Sequence, residues 1–305
     1  MIRAVHRAAK RGERLFLQAP TGLGKTMSSL YPAVRACGEG LADRVFYLTA
    51  KASTRREAFA ACERLVSLVA PLRAVVLTAR AQACSHPLAA CDGRALSSHC
   101  NSVECEGAWG YYDRVGDAVY ELLSTGRCYD RRRIAEVAEK YKVCPYELSL
   151  DLSEHCDVII ADYNYAFDPL VYLRRYFAPG AICEGKNFFL IDEAHNLADR
   201  ARDMYSVTLS RRAFERVYAE VDRRDKVLND ALETVILAMR DMRRMCRDNL
   251  TTDEAGQECG YCLSHAPLSA FGEKLNWFVG LPIDMPFLFA MFAILLLQTI
   301  LEALF

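Results

Sequence analysis

Ala19–Thr26 reads APTGLGKT, flanked by a short apolar run, Arg14–Gln18 (RLFLQ), and by a helical stretch that opens MSSLYPAV. Gly22 and Gly24 allow backbone N–H groups to turn toward a phosphate chain, and the N-terminus of the following helix favours anionic charge. Lys25 then reaches the terminal phosphates and Thr26 offers its hydroxyl to magnesium, with Pro20, Thr21 and Leu23 completing the loop. The spacing is A-x4-G-K-T, so Ala19 occupies the place of the usual first glycine. A chance glycine turn would lack the strand before and the helix after, and the segment is therefore expected to bind ATP with Mg2+.

The alternation of strand and helix continues downstream. Arg44–Leu48 (RVFYL), Ala74–Leu77 (AVVL), Asp157–Ala161 (DVIIA) and Asn187–Ile191 (NFFLI) are short, apolar and rich in β-formers, with helical stretches between them. That order predicts an α/β fold whose parallel sheet is covered on both faces. Directly after the last run stands Asp192-Glu193-Ala194-His195. A carboxylate at the C-terminal end of a parallel strand lies at the mouth of the sheet, where a magnesium-bound triphosphate sits. Asp192 is expected to hold the metal, Glu193 to orient and deprotonate the attacking water, and His195 to couple the nucleotide state to the rest of the machine. Alone, this tetrapeptide could also be a charged helix cap. Its pairing with the phosphate loop selects catalysis.

The composition, 52% hydrophobic and 25% charged over 305 residues, suits a soluble globular chain of about two ordinary domains. A net charge of -1 removes any argument for nucleic-acid binding from bulk charge, so such a partner has to be argued from local sites. Met1–Arg14 is basic and amphipathic rather than an apolar leader, which disfavours a secreted, disulfide-stapled protein and points to the cytoplasm. Pro286–Leu301 (PFLFAMFAILLLQTIL) is 16 residues without a charge. A membrane span calls for about 18 or more, so a buried helix whose packing partner is missing from this chain is expected. The 13 cysteines are the outlier, and seven of them fall between Cys84 and Cys156.

Together, APTGLGKT and IDEAHN resemble the motifs of the DEAH-box superfamily 2 helicases, and the cysteine-rich insertion between them is similar to that of the XPD/DinG branch. Further strings carry the likeness: LTAKASTR (Leu48–Arg55), ADYNYAFDP (Ala161–Pro169), EGAWGYYDR (Glu106–Arg114) and VCPYELS (Val143–Ser149). It covers about residues 10 to 205 and is nearest to the bacterial DinG-like members. The resemblance implies a RecA-like first motor domain, 5′ to 3′ DNA helicase activity driven by ATP, and a [4Fe–4S] cluster held by four cysteines. Its context strings point to Cys84, Cys100, Cys105 and Cys144 as the ligands, with Cys91 and Cys128 as spares. Thiolates are the usual ligands of such clusters, and Pro145 pins Cys144 at a helix start. Four thiolates suit zinc equally well, which leaves that alternative open. Cys259 and Cys262 form a C-x2-C pair without a second pair nearby, and Cys37, Cys62, Cys156, Cys183 and Cys246 read as small core residues.

The resemblance also implies contacts to single-stranded DNA and to junctions between single- and double-stranded DNA, made by Thr49, Lys51, Ser53, Thr54 and Arg55 after the second strand. Tyr163 is a candidate for stacking on a base. The expected organisation is a split motor domain over 1–80 and 157–205, an iron–sulfur insertion over 81–156, a helical arch-like subdomain over 206–285 and an apolar segment over 286–305. A second parallel-sheet pattern is not legible after Asp199, so the chain is expected to be a fragment of a longer, monomeric helicase, weakly active or inactive by itself. The competing expectation is a non-catalytic iron–sulfur module that binds ATP and DNA and senses redox state.

Overall fold

Five short strands, β1 (Arg44–Leu48), β2 (Ala74–Val76), β3 (Cys128–Tyr129), β4 (Val158–Ala161) and β5 (Asn187–Ile191), form one parallel sheet in the order β3-β2-β4-β1-β5. The computed structural model describes residues 1–20, 22–68, 71–91, 96, 99–102, 104–206, 210–224, 226–246, 250–252 and 258–260. β1 and β4 are buried along almost their whole length because they pair with strands on both edges and are covered on both faces, so they read as continuous apolar runs. The register runs Val45↔Val158 and Leu48↔Ala161 on one side of β1, and Val45↔Phe188 and Leu48↔Ile191 on the other.

Period-2 alternation divides the core into two layers. Val45, Tyr47, Ala74, Val158 and Ile160 face α2 (Lys25–Gly38) and α3 (Ala52–Leu68), where they meet Leu30, Ala33, Ala58, Cys62 and Leu65. Phe46, Leu48, Val75, Ile159 and Ala161 belong to the opposite layer, with Leu122, Ile134, Val137, Leu148 and Leu152. Those last residues lie on the helices Tyr111–Thr125, Arg131–Tyr141 and Pro145–Ser153, all from the cysteine-bearing insertion. The insertion thus supplies the second cover of the sheet. Ile134, Val137 and Ala138 are the buried face of Arg131–Tyr141, and Asp130 caps that helix by accepting the Arg133 N–H at 2.8 Å.

Two features depart from the sequence reading. Arg14–Gln18, expected as the first strand, makes no ladder. It runs without regular structure between α1 (Ile2–Arg11) and α2, with Phe16 89% exposed. Its apolar pattern gives the run strand propensity, but a strand needs an adjacent edge, and among the described residues this segment has none. β3, by contrast, was not expected. Two residues of the insertion, Cys128 and Tyr129, pair with Ala74 and Val75. Cys128 packs in the layer of α2 and α3, away from the loop expected to gather the ligand cysteines, which removes it as a spare.

The chain divides into two compact units, Met1–Tyr205 and Ser206–Phe305. In the second, helices Arg211–Glu220 and Lys226–Cys246 lie in the stretch expected to be helical, and Arg240 meets Glu215 at 3.3 Å. An antiparallel pair, Leu250–Thr252 with Glu258–Gly260, adds strands where none were read. The apolar segment 286–305 and Cys262 lie outside the described residues. No helix among the described residues is long and apolar enough to cross a membrane.

Phe46 has no exposed surface and its ring lies 5.2 Å from Tyr176, 5.0 Å from Phe177 and 5.5 Å from Phe189. Phe46→Ala is expected to destabilise the first unit by about 3–5 kcal/mol, as measured by urea unfolding followed through circular dichroism.

Candidate functional site

The phosphate loop is shaped by two glycines with positive φ, Gly22 at 89° and Gly24 at 67°. Gly24 stands directly before α2, in a left-handed conformation that side-chain-bearing residues avoid, so the first N–H groups of α2 face the loop mouth. Thr21 lies outside the described residues, whereas Pro20, Gly22, Leu23 and Gly24 are exposed and Lys25 and Thr26 half-buried. The Lys25 Nζ lies 3.4 Å from a Glu193 carboxylate oxygen, joining the two motifs that the sequence separates by 168 positions.

β5 places the acidic motif. The Asp192 N–H donates to the Leu48 carbonyl at 2.9 Å, prolonging the β1–β5 ladder by one step, and the chain then turns sharply at Glu193, with φ 52° and ψ 43°. A non-glycine residue in the left-handed region is worth explaining. Here the Glu193 carbonyl accepts from the Asn196 backbone N–H at 3.0 Å and from its side-chain amide at 3.3 Å. His195 is exposed, its Nδ1 3.5 Å from the other Glu193 oxygen. Tyr47, which the sequence reading did not single out, is buried beneath this mouth. Burial raises the pKa of its hydroxyl, with Asp192 and the Thr26 hydroxyl as close polar neighbours. Its signal was available only as a polar-tipped aromatic one residue before the end of a buried strand.

Tyr163 requires a correction. Expected to stack on a base, it has no exposed surface, because its hydroxyl points into the acidic turn and donates to the backbone carbonyls of Asp192 and Glu193. Burial, followed by the nearby Asp192 and Glu193 carboxylates, pushes its pKa to about 12, so it remains a neutral donor. Thr49 is corrected likewise. Its side chain is buried and hydrogen-bonded to the Thr54 hydroxyl, which leaves none of it open to a phosphate. Lys51 and Ser53 are exposed and Arg55 half-exposed at the start of α3, beside the carboxyl edge of the sheet. Tyr165 is also buried.

The four cysteines chosen from the sequence come from three segments. Cys84, Cys100, Cys105 and Cys144 are all free and half-buried. Burial raises the Cys100 thiol above its ordinary value, nearby Arg80 opposes that, and Cys105 and Cys84 act on it as close neighbours. Burial likewise raises Cys144, which also feels Cys100. Arg80, a residue the sequence reading passed over, lies over the Tyr146 ring at 5.0 Å and pairs with Glu147 at 3.2 Å, so it ties the segment before Cys84 to the helix after Cys144. Among the described residues, no three His, Cys, Asp or Glu side chains stand close enough together to hold a single metal ion.

A parallel α/β sheet with a phosphate loop and an acidic turn meeting at its carboxyl edge defines a RecA-like nucleotide-binding lobe. The DEAD_2 family model matches residues 51–214, and the chain belongs to that family, among the XPD-like superfamily 2 helicases. It is 30% identical over 141 residues to the regulator of telomere elongation helicase 1 homolog of Culex quinquefasciatus, a match covering 45% of this chain and 14% of that protein. It is 27% identical over 146 residues to the Fanconi anemia group J protein homolog of Gallus gallus, covering 44% of this chain and 11% of the relative. These matches span only a small part of the relatives' length. Among solved structures, a truncated XPD superposes with a TM-score of 0.51 at 14% identity, covering 92% of this chain and 76% of the other, a likeness of fold.

Tyr163→Phe leaves the Asp192 carbonyl without its buried donor, whereas the Glu193 carbonyl keeps its donors from Asn196. The expected cost is about 1–3 kcal/mol of stability, read as a lowered urea midpoint with an unchanged slope.

Proposed function

We propose that this chain carries the first motor lobe of an ATP-dependent DNA helicase that moves 5′ to 3′ along single-stranded DNA. The observation that supports this reading best is the approach of Lys25 to Glu193 at the carboxyl edge of the sheet, since a γ-phosphate is transferred where a cation, a metal-holding carboxylate and a base converge. In this reading the N–H groups at the head of α2 and the Lys25 ammonium bind the β- and γ-phosphates. Thr26 and Asp192 would hold Mg2+, which would supply charge neutralisation at the phosphate oxygens. Glu193, oriented by its left-handed turn, takes a proton from the attacking water, and exposed His195 beside it reports the nucleotide state outward.

The Lys25–Glu193 pair is a resting contact of two half-exposed side chains, worth little in stability and readily exchanged for phosphate. Exposed Lys51 and Ser53, with Arg55 beside them, suit contacts to successive DNA phosphates, and membership of the DEAD_2 family supports DNA as the partner. Unwinding further requires an arginine from a second RecA-like lobe to complete the charge on the γ-phosphate. The described residues contain one parallel sheet, so this lobe is assigned ATP binding and slow hydrolysis, within a helicase that acts as a monomer in the cytoplasm at junctions of single- and double-stranded DNA.

Cys84, Cys100, Cys105 and Cys144 are proposed to hold a [4Fe–4S] cluster: all four are free, half-buried thiols, and Cys84, Cys105 and Cys144 are neighbours of Cys100. Loading must displace protons that burial holds on Cys100 and Cys144, so it is favoured as pH rises. A bound cluster would supply a rigid four-point link between the three segments. The proposed organisation is therefore a motor lobe split over 1–80 and 157–205, a cluster insertion over 81–156 and a helical subdomain from 206.

Single-turnover ATP hydrolysis stimulated by single-stranded DNA is expected from the wild type. Lys25→Ala is expected to reduce it by at least about 100-fold, as removal of transition-state charge stabilisation does elsewhere. A chain that binds ATP and DNA without any hydrolysis would instead be a non-catalytic redox-sensing module. Anaerobically purified protein is expected to be brown with about four irons per chain, and Cys144→Ser to be bleached. Stoichiometric zinc without visible absorbance would overturn the cluster.

A further inference from the structure

Arg114 sits in helix Tyr111–Thr125, outside the four cysteines and outside the nucleotide site, yet its guanidinium reaches the backbone on both sides of the cysteine group. Its Nη2 lies 2.8 Å from the Glu106 carbonyl, 2.7 Å from the Trp109 carbonyl and 2.8 Å from the Lys142 carbonyl. The two hydrogens on that nitrogen are shared among three acceptors. Glu106 follows Cys105 directly, and Lys142 stands two residues before Cys144. One side chain therefore bridges the loop that carries one candidate ligand to the turn that carries another, 36 residues further on in the sequence from Glu106 to Lys142.

Three other features serve the same junction. The Cys144 N–H donates to the Gly107 carbonyl at 2.9 Å, so the two segments are also joined backbone to backbone. Gly107 is packed tightly against the ligand segment, since a Cβ there would stand 3.1 Å from the Cys144 nitrogen and 3.2 Å from its Cα and would push that backbone aside. Gly110, with φ 68°, leaves the space that the Arg114 Nη1 uses, because a Cβ there would lie 2.9 Å from that nitrogen. Lys142 is itself left-handed, φ 52°, at the end of helix Arg131–Tyr141, where carbonyls run out of intrahelical donors and a cation is favoured.

We infer that Arg114 is the positioning residue of the cysteine site, a guanidinium staple that sets the spacing between the Cys100–Cys105 loop and Cys144 before any metal arrives. The inference rests on the reading of the four cysteines as a ligand set. All three carbonyls meet one nitrogen of a planar guanidinium, which is held at a fixed orientation, whereas a lysine ammonium carries three donors at the end of a more flexible stem and is expected to hold them less rigidly. Removing a group that orients metal ligands weakens metal retention by about 10–100-fold, which sets the scale of the expected effect.

The test uses the full chain with Arg114→Met, Arg114→Lys and Gly107→Ala, alongside Arg132→Met as a surface control whose guanidinium pairs only with Glu136 in its own helix. In anaerobically loaded protein, iron release to a chelator is expected to be about 10–100-fold faster in R114M and G107A than in wild type, intermediate in R114K and unchanged in the control. ATP binding at the phosphate loop is expected to remain as in wild type, which shows that the lobe is folded. In iron-free protein, a short bifunctional thiol reagent followed by peptide mapping is expected to link Cys144 to Cys100 or Cys105 in wild type and to do so several-fold less in R114M. Wild-type iron release and wild-type cross-linking in R114M would overturn the inference. Loss of cross-linking in R114M together with a wild type that takes up no iron would uphold the staple and sink the cluster reading. Should R114M fail to fold, R114K and G107A carry the same comparison, and wild-type behaviour of both overturns the inference.

Discussion

The structure depends on β1 having a pairing partner along both edges. A central parallel strand must have every backbone group bonded and both faces covered, and Arg44–Leu48 meets that demand with β4 on one side and β5 on the other. Its last carbonyl, on Leu48, accepts the Asp192 N–H, so the ladder that stabilises the core also determines where the acidic turn begins. The side chains of the same strand alternate between two layers. Tyr47 enters the layer beneath the nucleotide mouth, and Phe46 enters the layer built by the cysteine-bearing insertion. Site and core therefore share one register, and a slip of one residue would reverse both.

This register explains why the insertion is no detachable accessory. Helices Tyr111–Thr125, Arg131–Tyr141 and Pro145–Ser153 bury the second face of the sheet, and Cys144 opens the last of them. Tyr111 donates to Asp151 at 2.7 Å and Arg175 donates to the same carboxylate at 2.9 Å, so the segment beside the cysteines is also tied to the chain that leads into β5. Motion of the cysteine loop relative to the sheet has to pass through packed side chains and these bonds.

Polar side chains with short-range work were the hardest to read in advance. Tyr163 and Thr49 sit in strings that look like DNA-contacting segments, but both are turned inward, one to hold carbonyls of the acidic turn and the other to bond Thr54. Arg80 and Arg114 look like ordinary charges in helical stretches, yet each bridges segments far apart in sequence. Nothing in a one-dimensional pattern distinguishes a tyrosine that stacks on a ligand from one that donates to a buried carbonyl, since both need an aromatic body and a polar tip.

The sequence by itself determined the strands β1, β2, β4 and β5, the glycine loop with Lys25 and the acidic turn. Each of these is written in local spacing or in apolar periodicity, which a single chain carries openly. The tertiary structure alone decided that Arg14–Gln18 pairs with nothing among the described residues, that Cys128 joins the sheet, that Tyr163 and Thr49 face inward, and that Arg114 bridges two halves of the cysteine site. These outcomes depend on which edge, carbonyl or cavity lies next to a side chain in space. Local propensity sets what a segment can become, and the availability of partners sets what it does become.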